Sequence, residues 1–139
     1  MTKINLQRIN DAVHFECRNE NGNTVLIDGS PDIGGLGKGA RPMQLMLMAA
    51  ASCSSIDIIL ILEKMRQKLE DIRVEVVAES EQMDTYSRWK SIHLKYFLKG
   101  DLNLKKAQKA AMLSIEKYCS VTKALEHSSI VTWEVEIEQ

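Results

Sequence analysis

Three cysteines, Cys17, Cys53 and Cys119, are the residues whose type could carry chemistry beyond packing, and two of them keep unusual company. Cys53 is flanked by Ser52, Ser54 and Ser55, and Asp57 follows at i+4, which on a helix is the same face. An inert core seldom gathers hydroxyls and a carboxyl around one thiol, because each polar group must find a partner. Cys119 stands near the end of an amphipathic stretch and is followed by Ser120-Val121-Thr122-Lys123, where the regular helix is expected to break. Two thiols on separate elements suit a cycle in which one is oxidised to sulfenic acid and the other condenses with it. Cys17 points with Val13 and Phe15, the three alternating with His14, Glu16 and Arg18, and reads as core.

A reactive thiol needs its thiolate favoured by a cation or by helix N-terminal amides, and Asp57 alone acts the other way. Arg41 and Lys38, just before the helix that carries Cys53, are the nearest candidates in sequence, with Arg88 and His127 as alternatives from elsewhere. A metal site built from Cys53, Cys119 and His127 lacks every close ligand pair that zinc sites use, so no metal is expected. Gly35-Leu36-Gly37-Lys38-Gly39-Ala40 matches G-x-G-x-x-A formally, but antiparallel strands precede it and Gly37-Lys38 lacks the Ser/Thr of a phosphate loop. It reads as a flexible approach to a helix, and no bound cofactor is expected. His14 and His93 fall on polar strand faces and read as solvated, while Met43, Met46 and Met48 read as core filler.

These residues need elements to position them. Ile4 to Ile27 reads as short strands, with Asn21-Gly22-Asn23 as a turn. Gly29 to Pro42 holds five of the seven glycines and both prolines, a long loop. Pro42 suits the first turn of a helix that runs through about Gln67, apolar on nearly every face and so expected to be buried all round. One small sheet and one further helix give too little cover for such a helix, which points to a partner chain. Val74 to Glu79 and Ile92 to Lys99 alternate as half-exposed strands, with Ser80 to Ser87 as a polar loop between them. Leu104, Ala107, Ala111, Ile115 and Tyr118 recur at helical spacing behind Asn103 as N-cap, and Val131 to Glu138 closes the chain as a strand with one acidic face. The expected class is α+β, one domain over residues 1–139.

The chain has 139 residues, enough to bury a core without a staple. Eighteen basic against nineteen acidic residues give a net charge of -1, so nucleic acid is not an expected partner. Asp57 and the serines count against reading Met43 to Leu62 as a membrane span. Met1 to Leu6 has no apolar h-region, and a cytoplasmic location is expected, where cysteines serve packing or redox roles rather than a disulfide framework.

Gly39-Ala40-Arg41-Pro42-Met43-Gln44-Leu45, Ala49-Ala50-Ala51-Ser52-Cys53 and Glu116 to Leu125 together resemble the OsmC/Ohr family of osmotically induced and organic-hydroperoxide-resistance proteins. The resemblance covers nearly the whole chain. It implies an intertwined homodimer with its central helices enclosed by sheets from both subunits. It also implies a cysteine peroxidase cycle, in which Cys53 attacks a peroxide, forms a disulfide with Cys119, and is restored by a thiol or dithiol reductant. Family peroxidases often place a Glu directly after the Pro or one position later; here those positions hold Met43 and Gln44. Arg41 also departs from the polar uncharged residue common there. A dimeric small-molecule binding or redox-sensing protein with little peroxidase activity is therefore the alternative, and a domain with inert cysteines is a third reading.

Overall fold

The structure is a computed structural model and describes residues 1–138. The chain divides into two compact units, Met1–Met46 and Leu47–Gln139. In the first, β1 (Asn5–Arg8), β2 (His14–Arg18) and β3 (Thr24–Asp28) form an antiparallel meander in that order. The expected glycine loop follows and is less free than its composition suggests. A 3₁₀ turn, Pro31–Ile33, ends at Gly34 in the left-handed region, and the Asp28 carboxylate accepts from the amides of Gly29, Leu36 and Lys38 at 2.9, 2.9 and 3.1 Å. Gly39 passes so close to β3 that a Cβ there would lie 2.6 Å from the Leu26 carbonyl, which excludes any side chain.

His14 is a correction. It was expected on a solvated face, yet it is buried, and its Nε2 has no hydrogen-bond partner among the described residues. It pairs in register with Asp28, so both side chains share one face of the meander, and the loop that Asp28 gathers covers that face.

Helix α1 (Pro42–Lys64) starts with one half of a capping box: the Arg41 amide donates to Gln44 Oε1 at 3.0 Å. It stops three residues earlier than the pattern suggests, because Arg66 turns left-handed at φ 59°. The amides of Arg66 and Gln67 then donate to the Glu63 and Leu62 carbonyls at 3.0 and 2.9 Å, closing a Schellman turn. Within one chain α1 is not buried all round. Ala50, Ser54, Ile58 and Leu62 form a single buried stripe, while Met48, Ile56 and Leu60 are more than half exposed.

The second unit carries β4 (Lys68–Gln82), β5 (Ser87–Asp101) and β6 (Ile130–Glu138), with β5 antiparallel to β4 and parallel to β6. Both hairpin strands outrun the expectation, and the loop between them shrinks to residues 83–86. Ile92, Leu94, Tyr96 and Leu98 of β5 are fully buried with Ile58 and Leu62 of α1, each aliphatic side chain contributing about 1.5–3 kcal/mol by leaving water. The outer face is a charge ladder. Arg73 meets Glu138 at 2.6 Å, His93 meets Glu134 at 2.6 Å and Thr132 at 2.7 Å, and the Arg73 guanidinium lies 3.7 Å over the Phe97 ring. His93 is thus held by partners rather than by solvent alone.

A parallel pair needs a crossover. It consists of α2 (Leu104–Leu113), a π-helical turn (Ser114–Tyr118) and α3 (Ser120–Leu125). Asn103 caps α2 as expected, its side chain accepting from the Lys106 amide at 3.0 Å. The expected break after Cys119 instead falls at Cys119 itself: its backbone is extended, and a new helix begins at Ser120.

Candidate active site

The second unit brings Cys53 and Cys119 together. Cys53 is half-buried on α1, Cys119 is fully buried at the junction of the π turn and α3, both are free thiols, and Cys53 is near enough to act on the Cys119 thiol. The π turn sets the position of Cys119. One extra residue per turn lets the Cys119 amide reach back to the Ser114 carbonyl at 2.7 Å, after which the chain leaves helical geometry. Cys119 then serves as N-cap of α3, its sulfur accepting from the Thr122 amide at 3.4 Å.

Burial pushes the Cys119 thiol up from its ordinary range, the Thr122 hydroxyl and amide act in the opposite direction, and the hydrogen bond and charge of Cys53 raise it further. Cys119 therefore holds its proton.

A buried hydroxyl network adjoins the thiols. Tyr96 donates to Ser54 Oγ at 2.6 Å, and Ser54 in turn donates to the Ala50 carbonyl at 2.7 Å. Ser114 Oγ lies 3.1 Å from both the Ser54 carbonyl and Asp57 Oδ2, one proton between two acceptors. Burial pushes the Tyr96 phenol well above its usual range, partly offset by the Ser54 hydrogen bond, while Cys119, Asp57 and Cys53 each disfavour a phenolate through charge. Tyr96, Asp57 and both cysteines thus form one electrostatic cluster. Beside it opens a cleft of about 500 Å³ lined by Asp57, Lys64, Leu60, Leu113 and Tyr118.

Arg41 belongs to the first unit, where its charge lowers the Asp32 carboxyl behind the larger effect of the Ser30 hydroxyl, and where it lines an apolar cavity of about 530 Å³ with Leu6, Phe15 and Ile33. Gln44, at one of the positions where peroxidases of the resembling family carry Glu, has its side-chain oxygen engaged in the α1 cap. Arg88 pairs with Glu81 at 3.1 Å and lines, with His127, a cleft of about 360 Å³ that neither cysteine lines. Among the described residues no three His, Cys, Asp or Glu side chains gather as a metal site, and Cys17 stays half-buried in β2.

Sequence reasoning missed Tyr96, Ser114 and Thr122. Two had a signal: a lone phenol in the inward row Ile92-Leu94-Tyr96-Leu98 needs a hydrogen-bond partner, and Ser114 continues the buried stripe Ala107-Ala110-Ala111 where a hydroxyl is out of character. Thr122 had none, since its role depends on a helix break read one residue too late.

Residues 35–134 match the family model described as OsmC-like protein. The chain belongs to the OsmC/Ohr family. Among relatives it is similar to the protein YhfA of Escherichia coli strain K12, 33% identical over 128 residues that cover 91% of this chain and 92% of the relative. Among solved structures, a hypothetical protein from Aquifex aeolicus superposes with a TM-score of 0.81 at 29% identity, over 100% of this chain and 98% of that one. An organic hydroperoxide resistance protein OsmC from Legionella pneumophila shares the fold, with a TM-score of 0.76 at 17% identity over 98% of this chain and 96% of that one. The expected α+β class and family resemblance are thereby both met.

Proposed function

We propose that this chain is a thiol-dependent peroxidase that reduces organic hydroperoxides or hydrogen peroxide through Cys53, with Cys119 as the resolving thiol. The observation that carries the reading is the pair of free thiols brought near one another from two different elements, of which Cys119 is fully buried and keeps its proton. Membership of the OsmC/Ohr family, which includes organic hydroperoxide resistance proteins, supports a redox role.

In the first step the Cys53 thiolate attacks the terminal peroxide oxygen; an S–O bond forms, the O–O bond breaks, and the departing oxygen takes a proton to leave as alcohol or water. Sulfur is oxidised to sulfenic acid. Cys119 then attacks that sulfur, water leaves, and the Cys53–Cys119 disulfide forms. A dithiol reductant restores both thiols by two exchanges and is itself oxidised to a disulfide.

Arg41 is the cation we assign to the Cys53 thiolate; it stands one residue before α1, twelve positions or about 18 Å of helical rise from Cys53, so the assignment requires an approach between the two chains of the homodimer. The working unit in this reading is an intertwined homodimer, supported by the apolar residues that α1 leaves uncovered in a single chain, and the location is cytoplasmic, in keeping with unpaired cysteines. Stopped-flow loss of peroxide on mixing with reduced protein tests the reading: wild type is expected to outpace free cysteine, and turnover persisting in Cys53→Ser would end it.

One observation favours a second reading, a dimeric binding or redox-sensing protein with little peroxidase activity. No Glu follows Pro42, and the Gln44 side chain serves the helix cap. An apolar ligand found by native mass spectrometry, with peroxide consumed no faster than by free cysteine, would select it.

A further inference from the structure

The peroxidase reading leaves Asp57 without a task, although it is the one carboxylate that meets both the thiol cluster and the neighbouring cleft. Asp57 lies at i+4 from Cys53 on α1, acts with Cys53 and Cys119 on the buried Tyr96 phenol, and lines the cleft of about 500 Å³. Its Oδ2 is fixed by Ser114 Oγ at 3.1 Å, and Ser114 is itself fully buried in the π turn that sets Cys119. A half-buried carboxylate one helical turn from a reactive thiol is a costly bystander unless it takes part in the reaction. As a proton carrier the same proximity serves the reaction.

We propose that Asp57 is the proton-transfer group of this site, taking the proton from the Cys53 thiol and delivering it to the peroxide oxygen that leaves toward the cleft. The inference rests on the peroxidase reading. The thiol proton passes to the carboxylate, the sulfur electron pair forms the S–O bond as the O–O bond breaks, and the protonated Asp57 gives that proton to the departing alkoxide. A thiol and a hydroperoxide become a sulfenic acid and an alcohol, and Asp57 ends ionised as it began. Ser114 is a positioning residue, since its hydroxyl holds Oδ2 in place.

The cleft gives the hydroperoxide's carbon chain somewhere to lie. Leu60, Ile61, Met65, Leu113 and Tyr118 line it, with Asp57 and Lys64 as its charged groups, two helical turns or about 10 Å apart along α1. The titratable groups that face Asp57 are therefore Cys53 on its own helix, Tyr96 from β5, Cys119 from the crossover, and Lys64 and Tyr118 around the cleft.

The test compares two reactions of Cys53, oxidation by cumene hydroperoxide and alkylation by iodoacetamide, across the neutral to alkaline range in wild type, Asp57→Asn, Asp57→Glu and Ser114→Ala. Iodide leaves without a proton, so alkylation has no need of a proton donor. Asp57→Asn is expected to slow oxidation at neutral pH by about 100-fold or more, the usual contribution of a placed acid–base group, and to slow alkylation far less, since alkylation shares the loss of the thiol proton but needs none delivered to its leaving group. That deficit should shrink toward alkaline pH, where thiols ionise unaided. Asp57→Glu is expected to recover part of the rate and Ser114→Ala to lose less than Asp57→Asn. Oxidation unchanged in Asp57→Asn, or oxidation and alkylation slowed alike, would overturn the assignment while the peroxidase reading stands. Wild type no faster than free cysteine toward the peroxide would overturn both.

Discussion

Cys119 is fully buried and holds its proton through that burial and the neighbouring Cys53 thiol, which is itself only half-buried. That asymmetry predicts different consequences of removing each sulfur. Cys53→Ser should abolish rapid peroxide loss. Cys119→Ser should keep the first oxidation but accumulate protein one oxygen heavier by intact mass, with no disulfide, and should lose activity over successive turnovers. A disulfide-dependent cycle surviving in Cys119→Ser would remove Cys119 from the resolving role.

Stability should fall on the alkaline side. Cys119 and Tyr96 both have folded-state values raised above their ordinary 9.0 and 10.0, so folding favours their neutral forms. Their contribution is fully present below those ordinary values and is lost as pH rises beyond them, because the unfolded chain ionises first. Urea midpoints of the reduced protein should therefore hold steady to about pH 8.5 and then decline, with a shallower decline in Tyr96→Phe. At neutral pH Tyr96→Phe should cost roughly 1 kcal/mol for the lost bond to Ser54. A midpoint that rises above pH 10 in wild type would contradict the burial of these groups.

Arg41 has a direct test. A cation brought within about 4–6 Å across the proposed homodimer lowers a neighbouring acid by some 1–3 pH units, so Arg41→Ala should slow iodoacetamide alkylation of Cys53 at pH 7 by about tenfold or more in the dimer, with Arg41→Lys intermediate. An unchanged rate would leave the guanidinium to its Asp32 neighbourhood and remove it from the thiol chemistry.

The exposed apolar side of α1 predicts association. Sedimentation should give about twice the 15.7 kDa chain mass, and Ile56→Asp, at a position 58% exposed in a single chain, should shift it toward one chain. A monomeric wild type would remove the homodimer from the proposed function.

Much of this architecture was legible in the sequence, for identifiable reasons. The strands declared themselves through strict alternation, α1 through its proline entry and unbroken apolar run, and α2 through Asn103, whose capping bond forms as its type suggests. What failed to show were features created by long-range closure. His14 sits on the polar side of an alternating strand, and only the return of the glycine loop onto Asp28 buries it. The π turn leaves no periodic trace, because a single wide turn looks like ordinary helix until its end. The thiol pair was visible as two candidates, but their contact depends on that turn and on a parallel strand pairing that no local pattern encodes.

The sulfur of Cys119 has a second occupation, as the acceptor that starts α3 by binding the Thr122 amide. A six-residue helix has few bonds of its own, so its capped Thr122 amide is a sensitive reporter of whether that acceptor remains in place. Redox state and local order are thereby read at one atom. Deuterium exchange at the Thr122 amide gives a spectroscopic view of the cysteine pair that needs neither substrate nor turnover.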